Sequence, residues 1–288
     1  MRKGVVMLKV MAWGVLATLA TADGASAQAL PRFSPDSYMT RIQQRGTLNV
    51  GLKAELLGVG YQNPMTGKFE GFAVDLGADL AERLFGAPAH VTYKPVLGVT
   101  RIPMLEQGLI DVIIDTLFIM KERWQQVDFA EPYWGAPTRI LIGKTNNDIK
   151  ALKDLGGKRV ASTKGSSSER WFRDPSLGYP KVQLVMFDSI AQSIEAIRVG
   201  RVDAAMFDEV FGLAAMKASP DFKFVGEPVS YDYYGIAIAK GHPEFVEFVT
   251  AWLRDIKANG RWIAIYKKNL PGDVPDPPMP PFDKAYYK

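Results

Sequence analysis

Cysteine is missing from the 288-residue chain, and histidine occurs only twice. Without cysteine, the protein can form no disulfide bridge, no thiolate metal site and no cysteine nucleophile. The two histidines, His90 and His242, lie far apart in the sequence and lack the spacing of a metal-binding pair. No G-x-S-x-G nucleophile motif is present. We therefore predict no metal and no cofactor, and catalysis has little support.

An excess of one charge is also absent, since the formal net charge is only +4. Proteins that bind nucleic acid usually concentrate basic residues in a stripe or patch, so we expect no nucleic-acid partner. The composition, with 47% hydrophobic and 23% charged residues, is that of an ordinary globular protein. A chain of this length fits two lobes of roughly 100–150 residues each.

Long apolar runs are absent as well, and the run near the N-terminus is short. Val10–Ala20 follows the basic residues Arg2, Lys3 and Lys9 and precedes the small-residue pattern Ala25–Ala27. This arrangement predicts a signal peptide at residues 1–27, because the run is too short to span a bilayer. A buried N-terminal helix is the alternative. We expect an exported chain without a cysteine for lipid attachment to reside in the periplasm.

Segments with strand character alternate with segments of helical periodicity, which predicts an α/β fold with mostly parallel sheets. The predicted strands are Thr47–Leu52, His90–Pro95, Val112–Ile114, Ile140–Ile142, Arg159–Ser162, Val182–Phe187 and Ala204–Phe207. The predicted helices are Val74–Phe85, Arg101–Gln107, Ser168–Phe172, Ile190–Val199 and Glu244–Ala258. The first of these helices is followed by Gly86, a residue that typically ends a helix.

One pattern occurs twice: a helix end, a glycine, an aspartate, a buried strand and a second aspartate. The first copy runs from Leu105 to Asp115 and the second from Ile197 to Asp208. Two copies of one unit suggest two lobes of similar architecture, although chance similarity is the alternative. Ligands of open α/β sheets bind beyond the carboxyl ends of strands, so we expect Asp115 and Asp208 to face a cleft between the lobes.

Eight short motifs follow one another at spacings typical of a known family. They are Arg45-Gly46-x-Leu48-x-Val50-Gly51, Gly67-x-x-x-Gly71-Phe72-x-Val74-Asp75-Leu76, Arg101-Ile102-Pro103-x-Leu105-x-x-Gly108, Glu122-Arg123-x-x-x-Val127-Asp128-Phe129-Ala130-x-Pro132-Tyr133, Leu155-Gly156-Gly157-Lys158-Arg159-Val160, Gly165-Ser166-Ser167, Gly200-Arg201-Val202-Asp203-Ala204 and Tyr234-Gly235-Ile236-Ala237. Over about residues 40–270 the chain therefore resembles the family 3 solute-binding proteins, the periplasmic amino-acid-binding proteins of ABC importers. The resemblance is strongest to their aspartate/glutamate-binding branch.

The resemblance implies a type II periplasmic-binding-protein fold, in which two α/β lobes are joined by two hinge strands. Lobe 1 would comprise residues 36–138 plus 236–270, and lobe 2 residues 139–235, with hinges near Gly135–Arg139 and Tyr231–Tyr234. Residues 271–288 are rich in proline and would form a tail outside both lobes. The implied protein is a monomer that captures an amino acid or related small polar acid for an inner-membrane ABC permease.

An amino acid ligand needs a cation for its carboxylate and a carboxylate for its ammonium group. The resemblance implies that Arg123 binds the α-carboxylate and that Asp208 accepts the α-ammonium. It also implies that Arg101 and Lys53 address a side-chain carboxylate of the ligand. For each of these charges, a solvated surface position or a local salt bridge is the alternative.

Further candidates lie on loops that flank predicted strands. Ser166 and Ser167 come between a strand and a helix, where hydroxyls and backbone N–H groups can bind an anion. Glu55 stands where the family usually has an aspartate. The usual stacking aromatic residue is replaced by Val59, unless Tyr61 takes its role.

The strand before Arg123 departs from the family pattern. Phe118 and Met120 replace the usual threonines, and Asp115 replaces a small residue. Phenylalanine and methionine cannot donate comparable hydrogen bonds, so we expect aspartate and glutamate not to be the best ligands. A bulkier amino acid, favoured by Asp115 and Asp208 if it carries an amino or guanidino group, is the hypothesis. The alternative is that Phe118 and Met120 only fill the core.

Two other functions stay open at this point. One is a dehydratase on the same two-lobed fold, since a fold does not determine a function. The other is an accessory or sensor protein that docks on a periplasmic partner. Gly58 and Gly60 form an incomplete glycine motif, so a dinucleotide site is not expected.

Overall fold

The structure, a computed structural model, describes residues 31–86 and 90–270. The predicted signal peptide at residues 1–27 and the proline-rich tail at residues 271–288 lie outside the described residues. Within the described ranges, none of the helices has the length and apolar character needed to cross a membrane.

Strands and helices alternate through the described ranges. The strands are β1 (Leu48–Leu52), β2 (Glu55–Leu56), β3 (Gly60–Gln62), β4 (Phe69–Glu70), β5 (Val91–Pro95), β6 (Val112–Ile113), β7 (Val127–Gly143), β8 (Arg159–Thr163), β9 (Gln183–Phe187), β10 (Ala204–Asp208) and β11 (Phe222–Ala239). The α-helices are α1 (Tyr38–Arg45), α2 (Phe72–Phe85), α3 (Arg101–Glu106), α4 (Lys121–Trp124), α5 (Ser167–Arg173), α6 (Ile190–Arg198), α7 (Glu209–Ala218), α8 (Pro243–Ala258) and α9 (Arg261–Asn269). Single 3-10 turns lie at Leu152–Leu155 and Pro175–Leu177.

Eight strands form one mixed sheet in the order β5-β1-β6-β11-β7-β10-β8-β9. The outer strands are parallel: β1 pairs with β5 and β6, and β8 pairs with β9 and β10. In the centre, β7 and β11 run antiparallel to each other along most of their length. The fold is therefore the predicted α/β class with two lobes, but its sheet is mixed, and the expectation of mostly parallel strands holds only for the two sides.

The two central strands connect the lobes. One end of β7 pairs with β11 around Phe129 and Ala237, where β11 also pairs with β6 of the first side. The other end of β7 pairs with β10 of the second side from Thr138 to Ile142. The segments predicted as hinges, Gly135–Arg139 and Tyr231–Tyr234, meet in the middle of these strands, where Gly135, Ala136 and Pro137 pair with Tyr233, Asp232 and Tyr231. The lobe boundaries themselves stay a prediction.

Large aromatic residues anchor the crossing strands to the first side of the sheet. Trp134 and Tyr234, one on each central strand, are fully buried, with ring centroids 5.1 Å apart. Phe72, the first residue of α2, packs edge-on against Trp134 at 5.7 Å. Burying one such side chain contributes about 1.5–3 kcal/mol. The two central strands are thus fixed against the first side of the sheet by buried aromatic packing.

Several elements were not predicted from the sequence. They are α1, α4, α7, α9, the small sheet of β2, β3 and β4, and most of the length of β7 and β11. Pro132 and Pro137 interrupt the pattern of β7, because proline cannot donate a hydrogen bond to a neighbouring strand. The structure accommodates Pro132 beside an irregularity in the pairing with Gly235.

Candidate functional site

A cleft lies between the two sides of the sheet and receives side chains from both. Its wall on the first side comes from the loops after β1, β5 and β6, and its wall on the second side comes from the segments after β8, β9 and β10. The lining residues are Lys53, Glu55, Val96, Leu97, Gly98, Arg101, Thr116, Phe118, Arg123, Thr163, Lys164, Ser166, Ser167, Ser168, Asp188, Ile190, Phe207, Asp208 and Phe211.

Arg123, on the short helix α4, points its guanidinium across the cleft. Its Nη1 donates to the Phe118 carbonyl at 2.8 Å, and its Nη2 donates to the Gly165 carbonyl of the opposite wall at 3.1 Å. No carboxylate in the described ranges forms a salt bridge with it, and the adjacent Glu122 pairs with Arg170 instead. Burial, together with the positive charge of Arg101, lowers the pKa of Arg123 to about 9. This guanidinium can therefore receive an anion.

Asp208, the last residue of β10, carries the opposite charge on the second wall. It is 8% exposed, and its Oδ2 accepts a hydrogen bond from the Tyr234 hydroxyl at 2.8 Å. Burial raises the pKa of Asp208 to about 6, although the hydrogen bond from Tyr234 opposes the shift. At neutral pH Asp208 is a buried carboxylate with a neutral partner, and it can accept a cationic group.

Lys53, Arg101, Asp115 and Thr116 form a separate group on the first wall, here named the Asp115 cluster. Lys53 Nζ lies 3.2 Å and Arg101 Nη1 2.8 Å from Asp115 Oδ2. Burial alone would raise the pKa of Asp115, but the charges of Lys53 and Arg101 outweigh it and lower that pKa. Burial lowers the pKa of Lys53. The cluster is an internally paired ionic group.

The placement of Asp115 differs from the sequence expectation. Asp115 was expected to face the cleft as Asp208 does, yet it lies behind Lys53 and Arg101 and is not among the residues that line the cleft. Lys53 and Arg101 do line the cleft, as predicted. Both cations pair with Asp115, a carboxylate of the protein, and not with a carboxylate left to the ligand. Residue identity alone could not predict this pairing.

Serine hydroxyls cover the second wall at the start of α5. Ser162 Oγ lies 3.0 Å from Ser166 Oγ and 2.8 Å from Ser168 Oγ. Ser166 also accepts a hydrogen bond from the Glu169 backbone N–H and so begins the helix. Ser166 and Ser167 line the cleft as predicted, next to the unpredicted Ser168.

Aromatic rings close the cleft from behind. Phe118 stacks on Tyr234 with centroids 4.7 Å apart and nearly parallel planes, and it is 3% exposed. Phe118 therefore both packs in the core and lines the cleft, so the two alternatives for it are not exclusive. Phe207 and Phe211 add a second aromatic surface, with centroids 6.2 Å apart. Phe211 lies one helical turn after Asp208, and this spacing is a signal that could have identified it.

Three further predicted residues have different placements. Glu55 lines the cleft, and its Oε1 accepts a hydrogen bond from the Ile190 N–H of the opposite wall at 3.2 Å. Met120 lies outside the main cleft, in an adjoining outer depression that it shares with Arg123. Tyr61 lies on β3 and is not among the lining residues, so neither it nor the buried Val59 supplies a stacking ring there.

The two walls touch at a pair of glycines. A Cβ atom at Gly165 would lie 2.6 Å from the carbonyl group of Gly98, which is closer than real Cβ atoms approach their neighbours. Gly165 also has a φ of 74°, a left-handed conformation that favours glycine. Together with the contacts of Arg123 and Glu55 across the cleft, this approach describes a closed arrangement of the lobes.

The comparisons with known proteins agree with this arrangement. A family described as bacterial extracellular solute-binding proteins, family 3, matches residues 48–272. The chain belongs to this family. Its fold and its function as a solute-binding protein are those of the family.

Similar proteins differ in what their names say they bind. A glutamine-binding protein of Geobacillus stearothermophilus is 35% identical over 213 residues, which are 74% of this chain and 80% of the relative. An L-glutamate/L-aspartate-binding protein of Pseudomonas aeruginosa is 30% identical over 248 residues, 82% of this chain and 81% of the relative. Family membership therefore leaves the side chain of the ligand open.

One solved structure has the same fold and a similar level of sequence identity. It is an ancestral amino acid-binding protein, described as a precursor of cyclohexadienyl dehydratase, with a TM-score of 0.73 and 30% identity. The match covers 81% of this chain and 99% of that one. Within residues 31–86 and 90–270, no group of three or more histidine, aspartate or glutamate side chains is arranged to hold a metal.

Proposed function

We propose that this protein is the periplasmic receptor of an ABC importer and that it binds a zwitterionic α-amino acid in the cleft. Arg123 binds the α-carboxylate and Asp208 accepts the α-ammonium group. The observation that carries the proposal is the pairing state of Arg123: its guanidinium faces the cleft, and among the described residues it donates to two carbonyls and forms no salt bridge.

The carbonyl contacts of Arg123 support a carboxylate as its ligand. A guanidinium has five N–H donors in a planar fork that matches a carboxylate. The contacts to Phe118 and Gly165 use only part of this capacity. The Gly165 contact crosses the cleft, so Arg123 can hold a ligand and the opposite wall at the same time.

Asp208 supports an ammonium group on the same ligand. Its carboxylate is buried on the wall opposite Arg123, and Tyr234 holds one of its oxygen atoms. An amino acid that bridges Arg123 and Asp208 would contact both walls, and therefore it would bind the closed form better than an open one. A ligand can drive closure only through such a difference in affinity.

A calorimetric screen tests the proposal most directly. The protein recovered from a periplasmic extract is titrated with the common amino acids and with the corresponding decarboxylated amines. We expect at least one amino acid to bind and its amine to give no measurable heat, because the amine leaves Arg123 without a carboxylate. An amine that binds as tightly as its amino acid would contradict the proposal.

Export is the next part of the proposal. The signal-peptide pattern and the extracellular nature of the family support a cleaved, periplasmic protein. N-terminal sequencing of the extracted protein should begin at Gln28 or Leu30. Recovery of an uncleaved, membrane-bound chain would contradict this part.

We also propose that the protein works as a monomer that delivers its ligand to an inner-membrane permease and that it carries out no chemistry. The names of the relatives as binding proteins support this. Size-exclusion chromatography with light scattering should give about the mass of one chain. Incubation with the bound amino acid should return it unchanged, and a new product would favour a dehydratase-like enzyme.

A further inference from the structure

The Asp115 cluster fills the hydrogen-bonding capacity of Lys53. An ammonium group has three N–H donors. Lys53 Nζ lies 3.3 and 3.2 Å from the two oxygens of Asp115 and 2.8 Å from the Thr116 hydroxyl. These three contacts account for all three hydrogens. A carboxylate arriving in the cleft would have to displace one of them to reach this charge.

Arg101 is held by Asp115 mainly through its Nη1, while its buried Nε has no hydrogen-bond partner among the described residues. Its Nη1 donates to Asp115 at 2.8 Å and to the Thr116 carbonyl at 3.3 Å. Its Nη2 reaches the Gly165 carbonyl of the opposite wall only at 3.5 Å. The side chains of Arg101 and Asp115 are 3% and 2% exposed, so water does little to screen their attraction.

We propose that Asp115 excludes ligands with an acidic side chain from this cleft. Asp115 supplies from within the protein the carboxylate that the side chain of an acidic ligand would otherwise bring to Lys53 and Arg101. This inference rests on the proposed function, because it concerns the side chain of a ligand whose α-groups bind Arg123 and Asp208.

The charge balance of the cleft supports the same conclusion. Three cations, Lys53, Arg101 and Arg123, stand against the carboxylates of Glu55, Asp115 and Asp208 and of the nearby Asp232, whose charge acts on both Asp208 and Arg123. Lys164 and Asp188, which also line the cleft, pair with each other at 2.7 Å. A zwitterion leaves this balance unchanged. A glutamate would add a negative charge without a free counter-charge, and burying an unpaired charge is costly.

A cationic side chain gains no free counter-charge from Asp115, because Asp115 already holds two cations. Glu55 accepts the Ile190 N–H across the cleft at 3.2 Å and forms no salt bridge within the described residues, so it does not exclude a cation. This replaces the expectation from the sequence that Asp115 favours a ligand with an amino or guanidino group.

The test compares glutamine and glutamate as probes, with dissociation constants measured by calorimetry. For the parent, we expect glutamine to bind at least tenfold more tightly than glutamate. Asp115→Asn removes the internal counter-charge and should shift the glutamine-to-glutamate preference toward glutamate by at least tenfold. A tenfold change corresponds to about 1.4 kcal/mol.

One further variant should shift the glutamine-to-glutamate preference in the opposite direction, and another serves as a control. Lys53→Met removes one cation but keeps the pair of Arg101 and Asp115, so the preference should move away from glutamate. This variant carries the test if Asp115→Asn does not fold. Asp203→Asn removes a carboxylate that pairs with Arg159 outside the cleft, and it should leave the preference unchanged.

Two outcomes would overturn the inference while leaving the proposed function intact. One is a parent that binds glutamate as tightly as glutamine. The other is a preference that moves with neither Asp115→Asn nor Lys53→Met, although the folded proteins bind amino acids. If no amino acid binds the parent at all, the proposed function itself fails.

Discussion

Arg101 and Arg123 lie in the same cleft but have different partners. Arg101 is 3% exposed and pairs with Asp115 at 2.8 Å. Arg123 donates only to the carbonyls of Phe118 and Gly165. Both residues belong to motifs of the family, and from the sequence both were assigned to a carboxylate of the ligand. The difference teaches that the presence of an internal counter-charge decides which cation is free to bind.

The same comparison extends to the two carboxylates at strand ends. Asp115 follows β6 and is surrounded by cations, which lower its pKa against the effect of burial. Asp208 ends β10 and has a neutral tyrosine hydroxyl as its partner, so burial raises its pKa to about 6. Arg123 on the first wall and Asp208 on the second therefore face the cleft without an ionic partner among the described residues.

The largest expected effect is the loss of ligand binding in Arg123→Ala. Removing one partner of a buried charge pair costs about 2–5 kcal/mol, which at 3 kcal/mol is more than a hundredfold in dissociation constant. Calorimetry with the tightest-binding amino acid measures it. Arg45→Ala, which removes an arginine paired with Asp111 outside the cleft, is the control and should bind like the parent.

The second effect concerns stability, where the substitution of Arg101 should cost more than the substitution of Arg123. Arg101→Met leaves the buried Asp115 with only Lys53, so the free energy of unfolding should fall by about 3 kcal/mol. Arg123→Met loses only carbonyl contacts and should change it by about 1 kcal/mol or less. Urea unfolding of the ligand-free proteins measures both values. Equal losses of unfolding free energy in the two variants would contradict the claim that Arg101, unlike Arg123, is paired with an internal carboxylate.

How far the sequence predicts this molecule depends on the range of the interactions involved. The helix α2 and its end at Gly86 follow from local periodicity and glycine chemistry, and the sequence predicts both. Arg123 and Asp208 were predicted as site residues, and the structure places both on the cleft. The resemblance to a family, and not spacing alone, carried those two assignments.

The pairing of Asp115 could not be predicted, because it depends on three segments that are distant in sequence. Lys53 is 62 residues before Asp115, and which cation reaches a carboxylate is decided by packing. The same limit applies to β7. Pro132 and Pro137 argue against a long strand in the sequence, yet the pairing with β11 forms one. Local sequence patterns predict helices and strands, while contacts between distant segments determine which charged side chains are left without an ionic partner.

A third effect tests whether the contact between the walls matters for binding. Gly165→Ala places a methyl group against the Gly98 carbonyl and should hold the cleft partly open, weakening the tightest ligand by about tenfold, or about 1.4 kcal/mol. Gly157→Ala is a matched control, since Gly157 has a similar φ of 73° and no neighbour within 4 Å of a Cβ. Equal dissociation constants for the two variants would argue against the contact in the bound state.

A fourth effect is a dependence of binding on pH. Only the ionised form of Asp208 can pair with an ammonium group, and its pKa is about 6 in the free protein. Affinity should be constant above about pH 7 and fall by about tenfold per pH unit below the pKa. Titrations between pH 4.5 and 8, chosen as roughly one to two units on either side, measure it. Asp208→Asn should bind weakly at every pH without this slope.

The most direct test of the central claim is a crystal structure with the tightest-binding amino acid in the cleft. The account predicts that the α-carboxylate of the ligand lies on Arg123, that its ammonium group lies on Asp208, and that Arg101 still pairs with Asp115. A ligand carboxylate bound to Arg101, with Arg123 left on the carbonyls of Phe118 and Gly165, would contradict it.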